Sequence, residues 1–426
     1  MTQAISAHRR GYWLTLLAGL ALAGCGGISQ NSVPVASSPS TRVPTPSPPA
    51  TIWRGYVTSV LPNTQIAFST PSVGWVVTGI GVAPALDNDL VAGVTGQIWP
   101  GRGLARTTDG GTSWQTTLQA AHGIWGVDPV SANDAWAVGV TTLYRTVDGG
   151  STWTSGGEPT GTHLVAVAFN SPADGLGLTS DGSVVYSTDG GLAWKPDRAP
   201  VSASGPFYSL CARGSTFLAS GASGAVWQQN SPGGGWQSAF VGIQSGGQGT
   251  FSMLTCSTTG SAWEAIEPVQ PGAAGGSVWV VDSPSAGSPW SLEAGPNGTG
   301  PVRPPSIVPA MVAVNTPRPV LVGGTTSTST GPGLFLLSSA GSFVNVHIPH
   351  LFDGTVPNLG LVRGAPTILS TSTGPHLDGL SFTDSTDGWA SAVAEVTISG
   401  TPTVLTTIYS TTDGGADWVP ISQLPN

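Results

Sequence analysis

One short pattern constrains this chain more than any other: an Asp-Gly-Gly turn with a tryptophan five residues after the aspartate, present four times. The copies are Asp109-Gly110-Gly111 with Trp114, Asp148-Gly149-Gly150 with Trp153, Asp189-Gly190-Gly191 with Trp194, and Asp413-Gly414-Gly415 with Trp418. Aspartate suits a tight turn because its carboxylate accepts bonds from nearby backbone N–H groups, while the glycines supply positive φ. An Asp-Gly turn between alternating apolar residues is a hairpin signal, and the tryptophan returns the chain to a packed strand. Recurrence at one place in a repeat gives the four aspartates a turn-building role in preference to a catalytic or calcium-binding one.

A second piece recurs upstream: Leu164 to Phe169, Leu377 to Phe382 and Gln65 to Phe68 read as strands of period two. Seven residues after Phe68, Phe169 and Phe382 stand Trp75, Leu176 and Trp389, each opening a further strand after a glycine. One repeat therefore holds strand, turn, strand, turn, strand, Asp-Gly-Gly turn, strand. The turn tryptophans 114, 153 and 194 are spaced by 39 and 41 residues, which matches one four-stranded propeller blade. Degenerate turns continue the series at Ser231 to Trp236, Ser285 to Trp290 and Ser339 to Phe343, giving seven blades, with six or eight also compatible. The expected fold is all-β: a single β-propeller of seven four-stranded blades, with the repeated turn before the last strand of several. A β-sandwich array or β-helix does not account for a four-strand unit with a fixed turn before its last strand. Either the Trp53 to Val60 segment or the tail after Trp418 could supply the outermost strand of the final blade.

Composition agrees. Of 426 residues, 61 are Gly and 36 Pro and only 8% are charged, so turns are plentiful and long charged helices are not. The net charge of -9, with one lysine and no basic run, leaves no electrostatic footprint for phosphate and excludes nucleic acid as a partner. Residues 1–25 read as a signal peptide: His8, Arg9 and Arg10 precede an apolar stretch too short to span a bilayer. Its end, Leu22-Ala23-Gly24-Cys25, is similar to the lipobox of bacterial lipoproteins, which implies lipidation at Cys25 and membrane attachment through that anchor alone. Residues 26–51, rich in Ser, Pro and Thr, form an extended tether, and residues 52–426 hold the repeats.

The repeated turn resembles the Asp-box, or BNR repeat, of sialidases and related propellers. Gly74-Trp75, Ala135 to Gly139, Arg106 to Trp114 and Arg145 to Trp153 together look like the photosystem II stability and assembly factor-like propellers. That resemblance implies a non-enzymatic scaffold that contacts other proteins. Resemblance to sialidases would imply an arginine triad gripping a carboxylate, but their Phe/Tyr-Arg-Ile-Pro motif is absent, and Arg106 and Arg145 occupy one place in two repeats. With five glutamates in all, paired-carboxylate glycoside chemistry has few candidates.

Three histidines, His122, His163 and His376, stand where the chain enters inner strands, and convergent imidazoles there would suit a metal or an anionic ligand. Whether a metal binds stays open at this stage, and no cofactor is expected. Cys211 and Cys256 occupy equivalent places in neighbouring repeats and are read either as a disulfide or as two buried thiols. Asp87-Asn88-Asp89 is read as an Asx turn or a weak calcium hint. The long loops around residues 264–276, 323–333 and 354–375 are the places to seek a partner, since long loops on a rigid scaffold carry binding. The expected function is an exported, lipid-anchored binding or assembly scaffold for another envelope protein. The alternative is a glycan-binding or sialidase-like glycoside hydrolase module.

Overall fold

Successive hairpins dominate the chain because short apolar runs are separated by turn residues every few positions. In the computed structural model, the described residues are 65–79, 101–198, 207–221, 224–242, 250–256, 260–268, 279–294, 307–314, 320–326, 332–337, 343–351, 355–359, 368–371, 375–398 and 400–425. Cys25, the tether, the Trp53 to Val60 segment and the Asp87-Asn88-Asp89 loop lie outside them. Among the described residues there are β-strands and no α-helix, and every strand pairing is antiparallel.

The strands fall into four-stranded meanders. Unit 1 comprises β1 (Ile66–Phe68), β2 (Gly74–Thr78), β3 (Gly101–Thr107) and the first part of β4 (Gln115–Pro129). Unit 2 takes the second part of β4, then β5 (Ala135–Gly139), β6 (Leu143–Thr146) and β7 (Thr154–Ser155). β4 thus serves twice: Gln115 to Gln119 pair with β3, and Ile124 to Pro129 pair with β5. Unit 3 is β8 (Leu164–Phe169), β9 (Gly175–Thr179), β10 (Val184–Ser187) and β11 (Lys195–Pro196). Unit 4 is β12 (Phe207–Arg213), β13 (Thr216–Gly221), β14 (Val226–Gln229) and β15 (Gln237–Phe240).

Unit 5 is β16 (Thr250–Cys256), β17 (Ala262–Pro268), β18 (Trp279–Ser283) and β19 (Ser291–Ala294). Unit 6 is β20 (Ile307–Val314), β21 (Val320–Thr326), β22 (Pro332–Leu337) and β23 (Phe343–Val346). A two-stranded hairpin, β24 (Thr355–Pro357) with β25 (Ile368–Ser370), precedes unit 7. Unit 7 is β26 (His376–Phe382), β27 (Gly388–Ile398), β28 (Thr401–Thr411) and β29 (Val419–Pro425). The tail after Trp418 therefore takes the outermost place of the last sheet.

The first strands of the units neighbour one another in chain order, β1 to β4, β8, β12, β16, β20 and β26, and β26 returns to β1. Inner and second strands are covered on both faces, so they read as continuous apolar runs, as buried strands do. Ala135–Gly139, Leu164–Phe169 and Gly175–Thr179 are buried at every position, whereas the outer strands Thr154–Ser155 and Lys195–Pro196 are exposed. Between units, Trp136 stacks on Phe169 and Trp389 on Phe68, each with ring centroids 3.8 Å apart. Such pairs contribute about 0.5–1.5 kcal/mol beyond the area they bury. Unit 7 departs from the rest: its middle strands overrun the neighbouring units', and Val356 and Leu369 of the extra hairpin pack against Ala394, Val396 and Leu405.

Candidate functional site

Each Asp-Gly-Gly turn is built by a hydroxyl two residues before the aspartate. Thr107 Oγ1 donates to Asp109 Oδ1 (2.8 Å) and accepts from the Gly111 N–H (2.9 Å), and Ser113 N–H donates to the same carboxylate oxygen (2.9 Å). Thr146, Ser187 and Thr411 repeat this with Asp148, Asp189 and Asp413. Both glycines of each turn need positive φ, 68° and 83° at Gly149 and Gly150, where a Cβ would strain the backbone. The Ser113 and Thr152 hydroxyls, followed by backbone N–H bonds, hold the Asp109 and Asp148 carboxyls below the usual range. At Asp189 and Asp413 partial loss of water is the largest single effect and pushes upward, but the bonds from Ala193, Ser187 and Leu192, and from Asp417, Thr411 and Ala416, together outweigh it. These carboxylates are occupied in holding their own turns. The four hydroxyls are almost fully buried and carry the turn as much as the aspartates do. A Ser or Thr two residues before the aspartate in all four copies is the sequence signal for them, which a motif begun at the aspartate leaves out.

The turns are also where units are fastened together. Trp136 Nε1 donates to Gly190 O (2.9 Å) in the turn of the next unit, and Trp389 Nε1 does so to Gly110 O (2.8 Å). Arg106 stacks over Trp75 (5.4 Å) and donates to Ala132 O (3.0 Å), while Arg145 stacks over Trp136 (5.3 Å) and donates to Pro172 O (2.8 Å). Both arginines span neighbouring units in the same way, so their repeated duty is to tie one unit to the next. A third fastening joins inner strands: Phe169 N–H donates to Asp128 Oδ2 (2.8 Å), and Phe68 N–H to Ser381 Oγ (2.9 Å). Asp128 sits where loss of water pushes its carboxyl up to about 7, against the lowering effect of the Phe169 bond.

The interface between units 1 and 2 keeps the Arg106 tie and a bond from Gln65 Nε2 to Trp125 O (2.7 Å), but has no ring stack of the Phe–Trp kind and no bond of the Phe68 or Phe169 N–H kind. Pro129, opposite Ala135, stands where units 1 and 3 carry Phe68 and Phe169, and so offers neither ring nor N–H. Ala67 replaces the Ser381 or Asp128 acceptor. The indole N–H groups of Trp75 and Trp153 are both buried without a hydrogen-bond partner. On the rim of this interface lies a cleft of about 370 Å³, with Arg106, Trp114, Gln115 and Thr117 on one side and Gly149 to Ser151 on the other.

Of the three predicted histidines, two have described side chains. His122 is exposed within β4, and His163 Nδ1 lies 3.8 Å from Glu158 Oε2 just before β8. Glu158 also accepts from Leu164 N–H (3.2 Å), and burial pushes its carboxyl up. The backbone of His376 opens β26, and its side chain lies outside the described residues. Among the described residues no three His, Cys, Asp or Glu side chains gather as metal ligands. A disulfide joins Cys211 of unit 4 to Cys256 of unit 5, with Cα atoms 5.7 Å apart. Beside it, the buried Arg213 guanidinium reaches into unit 5 and donates to Ser283 Oγ (3.1 Å). Of the long later loops, residues 269–278, 327–331 and 360–367 fall outside the described residues.

No protein-family model matches the chain, and no curated protein sequence does. Solved structures resemble it in fold. A GH74 enzyme from Niastella koreensis is 13% identical, with 85% of this chain and 67% of that chain covered and a TM-score of 0.50. YCF48 from Cyanidioschyzon merolae is 17% identical, covering 68% and 81%, with a TM-score of 0.41, and YCF48 bound to a D1 peptide is 16% identical, covering 69% and 80%, also at 0.41. At these identities the likeness is one of fold alone, an all-β propeller architecture.

Proposed function

We propose that the chain is an exported lipoprotein, anchored through Cys25, whose Asp-box repeats form a single seven-bladed propeller that binds another envelope protein without catalysing a reaction. The ring is supported by the succession of first strands, in which that of unit 7 meets that of unit 1, and by the Phe68–Trp389 stack across that junction. Seven meanders then correspond to seven blades, with the two units sharing β4 as consecutive ones.

The observation that carries the binding reading is what the recurring polar residues do. The four box aspartates, the four hydroxyls before them and both repeated arginines are spent on turns and on fastening blades, so the chemistry-bearing residues of the repeat serve a rigid scaffold. On such a scaffold recognition falls to what differs between blades. The largest difference is blade 7, whose overlong β27–β28 ribbon and the hairpin leaned against it set that blade apart.

Two experiments test the reading. Palmitate labelling in cells is expected for the full chain and lost in Cys25→Ala. Affinity capture from membranes is expected to retain one envelope protein with the wild type and lose it when residues 355–371 are replaced by a short Gly-Ser linker. Hydrolysis of a sialoside or a β-glucan by the purified protein would overturn the non-catalytic assignment.

A further inference from the structure

The inner strand of unit 3 is held at both ends by carboxyls from unit 2 and the segment that follows it. At the end of β8, Phe169 N–H donates to Asp128 Oδ2 (2.8 Å), on the inner strand of unit 2. At its start, Leu164 N–H donates to Glu158 Oε2 (3.2 Å), in the segment between β7 and β8. Every residue of β8 is buried. Where units 7 and 1 meet, the bond of the Asp128 kind is made by a hydroxyl, Ser381 Oγ accepting from Phe68 N–H (2.9 Å), so the tie does not require a carboxyl. What a carboxyl adds at this place is dependence on a proton.

Both carboxyls sit where the charged form is disfavoured. Loss of water pushes Asp128 up to about 7 and pushes Glu158 up as well, in each case against the strand N–H bond, which favours the carboxylate. Around Asp128, β5, β8 and β9 carry no titratable residue. The charged residues of the adjoining elements are Arg145 on β6, tied to Pro172 O, and Asp134 and Asp174 in the turns before β5 and β9. Among the described residues none of them forms an ion pair with Asp128. Glu158 meets the Leu143 backbone on β6 and faces His163, whose Nδ1 lies 3.8 Å from Oε2; a protonated imidazole favours the ionised carboxyl, and burial outweighs it. Asp181, in the turn joining β9 and β10, is bonded to Thr179 Oγ1 and Ser183 N–H. The boxes on either side behave the other way: Asp148 and Asp189 are held below the usual range by their own turns, so they stay ionised where Asp128 and Glu158 take up protons.

We propose that Asp128 and Glu158 form a proton-sensitive latch on β8, closed while both carboxyls hold their protons and loosened at both ends of the strand once they lose them. A protonated carboxyl still accepts the strand N–H through its carbonyl oxygen and buries no charge. Loss of the proton leaves a charge short of water, which is relieved when the strand end moves away and water enters. The folded values lie above the ordinary ones, so opening becomes easier as pH rises from about 4 to about 7 and levels off beyond. The Phe169–Trp136 stack and the two box turns hold no group that changes charge over that range, so the loosening is confined to the strand ends. The junction of units 2 and 3 is then tightest in mildly acidic surroundings. The latch lies apart from residues 355–371 and does not depend on what the protein binds.

Amide hydrogen exchange on the folded, ¹⁵N-labelled chain at pH 4, 6 and 8, corrected for the intrinsic rate at each pH, reads opening at Leu164 and Phe169. Their protection is expected to fall about tenfold or more between pH 4 and pH 8, while that of β2 in unit 1 holds steady. Asp128→Ser with Glu158→Gln keeps an acceptor at each end and removes both titrating protons, and the fall is expected to vanish in it. Asp128→Ser alone is expected to flatten the response of Phe169 and leave that of Leu164. Wild-type protection at Leu164 and Phe169 that does not change with pH overturns the latch, and that measurement needs no variant. An equal fall in β2 does so too, by making the effect global, as does an undiminished fall in the double variant. His163→Gln is expected to keep the fall at Leu164; its loss there would assign the effect to the imidazole and overturn the role of Glu158.

Discussion

Replacing Asp128 by serine is expected to stabilise the protein, and to do so only above acidic pH. In the fold the Asp128 carboxyl accepts one backbone bond, from Phe169 N–H, while loss of water pushes it from its ordinary value up to about 7. The folded value lies above the unfolded one, so the folded state holds the proton more tightly, and stability falls as pH rises from about 4 to about 7. A displacement of about three units at about 1.36 kcal/mol each sets an upper bound of about 4 kcal/mol on that penalty at pH above 7. The residue keeps partial contact with water, so we expect roughly half of it, about 2 kcal/mol, to be recovered. Serine preserves the acceptor, as Ser381 does for Phe68 at the corresponding junction. Urea unfolding followed by tryptophan fluorescence at pH 4, 5.5 and 7.5 reads the difference, which should grow from near zero at pH 4 to its full value at 7.5. A pH-independent difference, or a variant less stable than wild type at pH 7.5, would refute the reasoning.

Asp148→Ala unfastens the Thr146 and Thr152 bonds of one turn and is expected to lower the melting temperature while leaving partner capture intact; unchanged melting with lost capture would contradict the turn-building role. Thr146→Val, which removes a buried hydroxyl bonded to Asp148 and to Gly150 N–H, should cost about 1–3 kcal/mol in denaturant unfolding. Reducing the Cys211–Cys256 bridge, which closes a separation of 45 residues, should cost up to about 4 kcal/mol on chain-entropy grounds, measured as the difference in urea midpoint with and without reductant. The double change Ala67→Ser with Pro129→Phe installs the ring and the hydrogen bond found at two other junctions. It should raise the thermal midpoint, and calorimetry showing no gain would mean that the junction is held by something else.

The all-β class and the four-stranded repeat were legible because their signals are local: an Asp-Gly-Gly turn and its tryptophan lie within six residues, and propensity and sterics act over that distance. Units 4 to 6 were harder to read because their last turns use other chemistry. In unit 5, Ser283 Oγ donates to the Ser285 and Ser288 carbonyls, and no aspartate marks the place. Asp128 could not be singled out at all. Its significance lies in Phe169, 41 residues away, and in a strand phase that no local pattern reveals. The open junction between units 1 and 2 was half legible in Pro129, which breaks the Phe pattern of the inner strands; its consequence depended on seeing which indoles lost their acceptors.

Where the last sheet meets the first, Ser422 is bonded to Gly111 and Trp389 lies on Phe68, contacts that join residues more than 300 positions apart. Such contacts cannot form until nearly the whole polypeptide is present, so the final strand acts as a completion check on the fold. Until Val419–Pro425 arrives, Gly111 and Trp114 lack their bonds to Ser422, and the cluster around Ile66 lacks Ile421 and Leu424. A molecule shortened by ten residues would therefore keep that flank of unit 1 open to proteolysis, and loss of the tail would be felt in how long the protein lasts.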